Sequence, residues 1–514
     1  MKFRALASSD ADSPDPPAEG YPTRFRRTQG SAGGHPGHPV MRGGDCVRRK
    51  PFRHIGLLAG FMLAAGAASA ADLLQVYHDA LAHDARYAAS RAQREANQEK
   101  RVQGRSALLP TLGIAAGAQR NDTEITLPKD ASGVQPPPTN RRYNSNSYAL
   151  QLSAPLFRVQ NWHQYKEGEL QTELANSVFN QETQDLILRT AEAYFNVLNA
   201  RDSLRAIMQL RTAAAEQLEL ARTSFKVGTV TVTDVHEAQS RFDLASAQEI
   251  AARNTLAVAL EALARIIGRS PEELAGLKPG VMLSRPEPDN IDSWVNAAEK
   301  GNYGVQAQTL AREIAVREYQ RARAGHLPTL DLVASHSRNT RPSVSIERTE
   351  GSTVGVQLDM PLYQGGYVSS RTRETAALRI KADSDLEEAR RTAALAAREA
   401  YLGVTSGMAQ VQALEAAQIS STSSLEANQL GYKVGVRINI DVLNAQSQLA
   451  DTVQKLARAR YDTLLAQLRL KASIGSLGEE DVRAINALLE AQSRNSTSDI
   501  RPLFNTLPLL NGSR

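Results

Sequence analysis

Apolar positions recur along this chain with two different periods, and the change from one to the other divides it. No proline occurs between Pro155 and Pro271 or between Pro361 and Pro502, and Ala, Leu, Gln, Glu and Arg dominate both stretches. Proline costs about 3 kcal/mol inside a helix, so its absence over such lengths permits very long ones. The pattern predicts one helix over 160–224, roughly 98 Å long at about 1.5 Å per residue, and another over 364–431. Shorter helices are predicted over 72–108, 234–268, 291–325 and 441–475. Leu449, Val453, Leu456, Leu464 and Leu468 form a single narrow apolar stripe at helical spacing. Such stripes, rich in alanine, suit coiled-coil-like neighbours rather than a thick globular core.

Beside the prolines the period falls to two. Val354, Val356, Leu358, Met360 and Leu362 alternate with Gly355, Gln357 and Asp359, and Tyr148, Leu150 and Leu152 alternate with Ala149, Gln151 and Ser153. Segments starting at Leu112 and Leu330 open two more strands. One apolar face and one polar, glycine-containing face suit a β-barrel wall between lipid and water. A half-buried strand of a soluble protein has the same pattern, so alternation alone leaves both readings open.

The chain is also written twice. Ser224-Phe-Lys-Val-Gly228 returns as Gly431-Tyr-Lys-Val-Gly435, and Thr233-Asp-Val235 with Ala238-Gln-Ser240 as Ile440-Asp-Val442 with Ala445-Gln-Ser447. Glu192-Ala-Tyr194 returns as Glu399-Ala-Tyr401 and Ile267-Gly268 as Ile474-Gly475, all at an offset of 207. Upstream, Leu109-Pro-Thr-Leu112 matches Leu327-Pro-Thr-Leu330 at 218, and Ala154-Pro-Leu-Phe157 matches Met360-Pro-Leu-Tyr363 at 206. The first repeat therefore has 12 extra residues between Pro110 and Pro155, in a loop holding Pro128 and Pro136-Pro-Pro138.

Composition narrows the function classes. Of the 60 basic and 55 acidic residues, ten and five lie in residues 1–70, leaving 50 of each, so the formal +5 belongs to the leader. A chain balanced after trimming has no basic stripe for nucleic acid. The leader carries Arg48, Arg49, Lys50 and Arg53, then an apolar run over 55–65, then Ala68-Ser69-Ala70. These features predict a signal peptide over 41–70 cut after Ala70. Residues 1–40, rich in Pro, Gly and Ser, are predicted to be disordered or to precede a true start at Met41. The single cysteine, Cys46, lies in this leader, which excludes disulfides, thiolate metal sites and cysteine nucleophiles from the mature chain. His78 and His83 are poorly spaced for one helix face and have no third ligand nearby, so no metal or other cofactor is expected. No phosphate-binding glycine motif or catalytic constellation is present, and the chain reads as a non-enzyme.

Each repeat thus predicts helix, strand, loop, strand, long helix, turn and helix. The first repeat spans 71–290, with a hairpin at 111–157 and a turn at 226–233. The second spans 291–480, with a hairpin at 329–362 and a turn at 433–440, and a C-terminal tail follows over 481–514. Four membrane-type strands cannot close a barrel, whose smallest filled form has about eight. Copies must pool them, and charge-dense helices cannot lie in lipid. A homotrimer would give twelve strands and a lumen, and the geometry is that of a conduit with no chemistry of its own.

The segments His326-Leu-Pro-Thr-Leu-Asp-Leu332, Met360-Pro-Leu-Tyr-Gln-Gly-Gly366 and Gly431-Tyr-Lys-Val-Gly-Val-Arg-Ile-Asn-Ile-Asp-Val-Leu443 resemble the TolC family of outer-membrane export channels, over roughly 72–480. The resemblance implies a mainly α fold with β: a duplicated chain forming a trimeric 12-stranded outer-membrane β-barrel on a long periplasmic α-helical barrel. It also implies a periplasmic adaptor protein and an inner-membrane ABC or RND transporter as partners, for type I protein secretion or drug efflux. The two turns would form the periplasmic tip. There Tyr432 and Arg437 match residues that tie an inner helix pair to an outer one, with Thr233 and Asp234 matching their partners. Asp441 matches an acidic ring at the constriction. A second ring is replaced by Asn444, which removes three formal charges per trimer and leaves one ring to favour cations. Lys226, Val227, Gly228 and Lys433, Val434, Gly435 resemble adaptor-docking grooves.

Plainer roles exist for the same residues. Asp234 and Asp441 stand where helices begin and could be N-caps, and Asp234 with Glu237 has capping-box spacing. Gly228 and Gly435 suit positive φ at helix C-termini, where Lys226 and Lys433 also meet a favourable dipole. Phe157, Trp162, Tyr363 and Tyr367 fall where barrel should meet helix, a level that favours aromatics. Two rival classes remain. A secreted trimeric coiled-coil structural protein would not need duplicated lipid-type hairpins, and a periplasmic adaptor would need β domains that the chain lacks.

Overall fold

The computed structural model describes residues 71–271 and 273–490. The expected disordered start, the signal peptide and residues 491–514 of the tail lie outside them.

Two copies of one layout follow each other. The first consists of α1 (Leu73–His83), α2 (Ala85–Ser106), β1 (Thr111–Ile125), β2 (Thr139–Phe157), α3 (Val159–Lys226) and α4 (Val232–Ile267). After a short β3 (Gly276–Leu277) come α5 (Ile291–Gly301), α6 (Tyr303–Arg323), β4 (Thr329–Ser343), β5 (Ile346–Asp359), α7 (Tyr367–Lys433) and α8 (Asn439–Ser473). A last helix, α9 (Glu479–Asn486), and β6 (Leu489–Glu490) complete the described chain. The long helices have 68 and 67 residues, about 100 Å each.

Two helices expected to be continuous are broken. The predicted 72–108 helix is interrupted at Asp84, whose N–H donates to Ala80 O while its carboxylate accepts from Tyr87 N at 2.7 Å, ending α1 and capping α2. The predicted 291–325 helix is interrupted at Asn302, whose Oδ1 accepts from the N–H groups of Gly304 and Val305 at the start of α6. A short polar side chain that satisfies free helix N–H groups is the ordinary device for such a start.

The strands form one antiparallel sheet in the order β1-β2-β4-β5. Its register places Leu112 opposite Leu152, Leu152 opposite Ala334 and Ala334 opposite Val354, and the neighbouring row joins Ala154, Leu332 and Val356. Directly paired residues share a face, so these two rows build an apolar band, and farther from the helices the same face carries Leu150, His336 and Ser352, then Tyr148, Arg338 and Glu350. Gln151, Ser335 and Thr353 line the other. On the apolar side the outer strands are exposed, Ile114 at 82% and Val354 at 76%, whereas Ala154, at the helical end of β2, is buried. No helix among the described residues is long and apolar enough to cross a membrane. The β1–β2 connection, 126–138, holds the extra prolines of the first repeat, whereas β4 and β5 are joined by residues 344–345 alone.

Where sheet meets helix, Arg158, between β2 and α3, donates to both carboxylate oxygens of Asp331 on β4, through Nε at 2.8 Å. Gln160 Nε2 donates to Ala324 O at 2.8 Å, and Asn161 Nδ2 to Ala107 O. Phe157, Trp162, Tyr363 and Tyr367 are exposed around this joint.

The thickest core lies halfway down α3, not at either end. Leu186, Tyr194, Phe195 and Leu198 of α3 meet Leu73 and Val76 of α1, Leu263 and Ile267 of α4, Leu464 and Leu468 of α8, and Val482 and Ile485 of α9. Here the repeated tyrosines have their use: Tyr194 Oη donates to Ala275 O at 2.7 Å and Tyr401 Oη to Asp289 Oδ1 at 2.7 Å, each fastening a long helix to the segment between the repeats. The strand pair β3–β6 and helix α9 strap the same level, binding residues up to 490 onto this belt.

Glu167 on α3, 5% exposed, lies below the sheet. Its Oε2 is 3.3 Å from Arg321 Nη1, while Oε1 has no hydrogen-bond partner. Burial outweighs Arg321, and Glu318 adds to it, so the carboxyl is pushed up from 4.5 to about 7. A raised folded-state value favours the native state fully below the unfolded value, and that stability is lost as pH rises through the folded one. Thermal melts in detergent should therefore show Glu167→Gln flattening the decline between pH 4.5 and 7. At pH 8 the variant should melt at a higher temperature than the parent protein; an unchanged slope contradicts this assignment.

Candidate functional site

The two helix-to-helix turns, residues 227–231 and 434–438, are built alike. Gly228 N donates to Phe225 O and Thr229 N to Ser224 O, both at 3.0 Å. Gly435 N donates to Tyr432 O at 3.1 Å and Val436 N to Gly431 O at 2.9 Å. These are paired Schellman closures, which require a residue in the left-handed region. Gly228 and Gly435 supply it with φ of 78° and 80°. The repeated Lys-Val-Gly is thus a helix stop. It also presents apolar side chains to water, since Val227 is 72% and Val434 65% exposed, with Phe225, Val232, Val436 and Ile438 exposed beside them. Lys226 and Lys433 are exposed too.

The following helix starts differ, and neither uses the cap that the sequence suggested. In the first turn the N-cap is Thr231, whose hydroxyl accepts from Asp234 N. Asp234 Oδ2 in turn accepts from Thr231 N and Thr231 Oγ1, both at 2.8 Å. Asp234 is therefore the third helical residue of a Thr231–Asp234 capping box, not the cap of a box with Glu237. In the second turn the N-cap is Ile438, which has no side-chain acceptor. Asp441 is not a cap either: its Oδ2 lies 3.6 Å from Arg437 Nη1, one turn back on the same chain.

Of the residues matched to an inter-hairpin tie, Tyr432 is half-buried on α7 and senses Asp234 on α4. Burial and then the charge of Asp234 raise its phenol above the ordinary value, keeping it a neutral donor. Arg437 faces Asp441, and Thr233 is exposed. Asn444 is exposed on α8 and its Oδ1 accepts from Arg241 Nη2 on α4 at 2.9 Å.

Sequence reasoning missed Arg241 and two buried amides. Gln217 Nε2 on α3 donates to Oδ1 of Asn439, which opens α8 and is 2% exposed. Between these polar contacts Leu443, 1% exposed, packs on Leu218 and Ala221 of α3 and Ala238 of α4. No periodicity marks Arg241 or Gln217, because each partner lies more than 200 residues away in the other repeat.

An exposed apolar sheet band above a bundle of 100 Å helices, with their turns at the far end, defines an outer-membrane channel with a long helical extension. Solved structures share this fold: the CmeC outer membrane channel of Campylobacter jejuni aligns with a TM-score of 0.70 at 16% identity over 81% of this chain and 90% of its own. VceC of Vibrio cholerae aligns with a TM-score of 0.67 at 17% identity, over 78% and 96%. Residues 76–269 and 294–476 match the model of the outer membrane efflux protein family, and the chain belongs to that family. The outer membrane protein TolC of Escherichia coli is 33% identical over 463 residues, 87% of this chain and 90% of TolC. The alkaline protease secretion protein AprF of Pseudomonas aeruginosa is 33% identical over 425 residues, 82% and 88% respectively. The chain is thus an outer-membrane efflux and secretion channel of the TolC type and not an enzyme.

Loss of the Thr231 hydroxyl should fray this tip locally. Thr231→Ala is expected to cost about 1 kcal/mol at the start of α4, read as faster amide exchange over residues 231–236 with the belt around Tyr194 unchanged. Exchange that is unaltered, or altered equally everywhere, contradicts the capping assignment.

Proposed function

We propose that three copies of this chain pool their sheets into a twelve-stranded barrel and their α3, α4, α7 and α8 helices into a twelve-helix periplasmic tube. The observation that carries this reading is the order β1-β2-β4-β5, which leaves β1 and β5 with unpaired edges beside an exposed apolar band. Apolar side chains on the outer helices α4 and α7 support it, with Ile250, Val258, Ile380, Ile419 and Leu430 exposed in one chain. The tube carries its cargo through water and needs no chemistry of its own. Relatives named for protease secretion and for efflux accord with a duct that serves either type I protein secretion or small-molecule efflux.

The turns at 227–231 and 434–438 act as the resting gate, with Tyr432, Asp234, Thr233, Arg437 and Asp441 holding it shut and Asn444 beside them. The exposed apolar tips, flanked by Lys226 and Lys433, suit docking of a periplasmic adaptor through Val227, Gly228, Val434 and Gly435. The adaptor in turn engages an inner-membrane transporter of the ABC or RND class. In planar bilayers, Tyr432→Phe combined with Arg437→Ala should raise single-channel conductance severalfold while the protein still assembles. Unchanged conductance in a correctly assembled trimer contradicts a gate at these turns.

A further inference from the structure

Just beyond the turns, α8 is fastened to the α3/α4 hairpin at three residues, 439, 443 and 444. Two of these contacts are buried. Asn439 accepts from Gln217, and Leu443 fills the space among Leu218, Ala221 and Ala238, with Val235 and Phe242 beside it. Separating them would expose apolar surface and strand a buried amide, which is costly. The third contact has the opposite character. Arg241 is half-buried and Asn444 exposed, and their 2.9 Å hydrogen bond lies where water can replace either partner.

The duplication does not account for this arrangement. The positions 207 residues before Asn439, Leu443 and Asn444 hold Val232, His236 and Glu237, and those 207 after Gln217 and Arg241 hold Ser424 and Gln448. Val232 has no side-chain acceptor with which to repeat the Gln217–Asn439 bond, and Gln448 donates to Thr452 on its own helix rather than across the hairpins. The contacts therefore belong to one side of the repeat only, joining α8 to the first hairpin within a single chain.

We propose that Arg241 is a positioning residue of the closed tip: its bond to Asn444 is a releasable latch, and the buried Gln217–Asn439 and Leu443 contacts are the pivot about which the α7/α8 hairpin swings. This deepens the gate reading above and rests on it. Asn444 is then an acceptor aimed at α4 rather than a vacancy in a ring of charge. A neutral amide suits that task, because a carboxylate would tighten the bond to Arg241 and resist release. Three latches, one per chain, would part when the tip opens.

The test is a double-mutant cycle on the full-length mature protein in planar bilayers, with Arg241→Ala, Asn444→Ala and the two combined, alongside Tyr432→Phe/Arg437→Ala. Each single variant should raise the open-to-closed ratio by about fivefold per latch, the factor expected for loss of one partly exposed hydrogen bond, and so by on the order of a hundredfold when all three latches of a trimer are lost. The combined variant should open no further than either alone, since both remove the same contact. Asn444→Asp should lower the ratio. Additive effects of the two alanines would overturn the latch. So would an Arg241→Ala channel whose reversal potential in a salt gradient moves while its conductance does not, because Arg241 would then be a pore charge. If Tyr432→Phe/Arg437→Ala opens the channel and Arg241→Ala does not, the latch alone fails; if neither opens it, the gate reading itself fails.

Discussion

Backbone N–H and C=O groups left without partners in hydrocarbon cost several kcal/mol each, so a sheet that enters a membrane has to close. This constraint organises the whole chain. Among the described residues a single copy has one sheet of four strands, with an exposed apolar band and two open edges. Closure must come from other copies, and once the sheet is shared the helices beneath it are arranged around the same axis. The long helices need no thick core of their own, and their narrow apolar stripes follow from that. Their one broad core, around Tyr194 and Leu464, sits at the belt where α1, α9 and the linking segments wrap them.

Much of this was legible in the sequence because duplication doubles every signal. The proline-free stretches gave long helices whose observed limits, Val159–Lys226 and Tyr367–Lys433, lie within a few residues of the pattern. The strand alternation proved to be in register across all four strands, which no single strand could reveal. The breaks at Asp84 and Asn302 were missed, since helical periodicity runs straight through them. Yet the two residues are 218 apart, the same offset as the Leu-Pro-Thr-Leu pair. Comparing the repeats for short polar residues would have found both.

The tip was legible only in part. The repeated Lys-Val-Gly announced two helix stops, and both glycines have the expected positive φ. The caps were misplaced because an aspartate near a helix start can be the cap itself or its third residue. Thr231 decides the matter in the first turn, and Ile438 leaves Asp441 to Arg437 in the second. Contacts between repeats, such as Gln217 with Asn439, carry no local signature. They depend on how α8 lies against α3, which is set by Leu443 and the packing around it.

Shared closure is tested most directly by joining the two open edges. The described residues hold no cysteine, and the single cysteine of the sequence, Cys46, lies in the segment read as a signal peptide and can be replaced by serine, so one cysteine placed on β1 and one on β5 at matched heights report without background. On oxidation in the membrane, the account predicts a ladder of covalent dimer and trimer that stops at three, with the trimer circular. Cross-linking confined to single chains, or a ladder that runs past three, would contradict it.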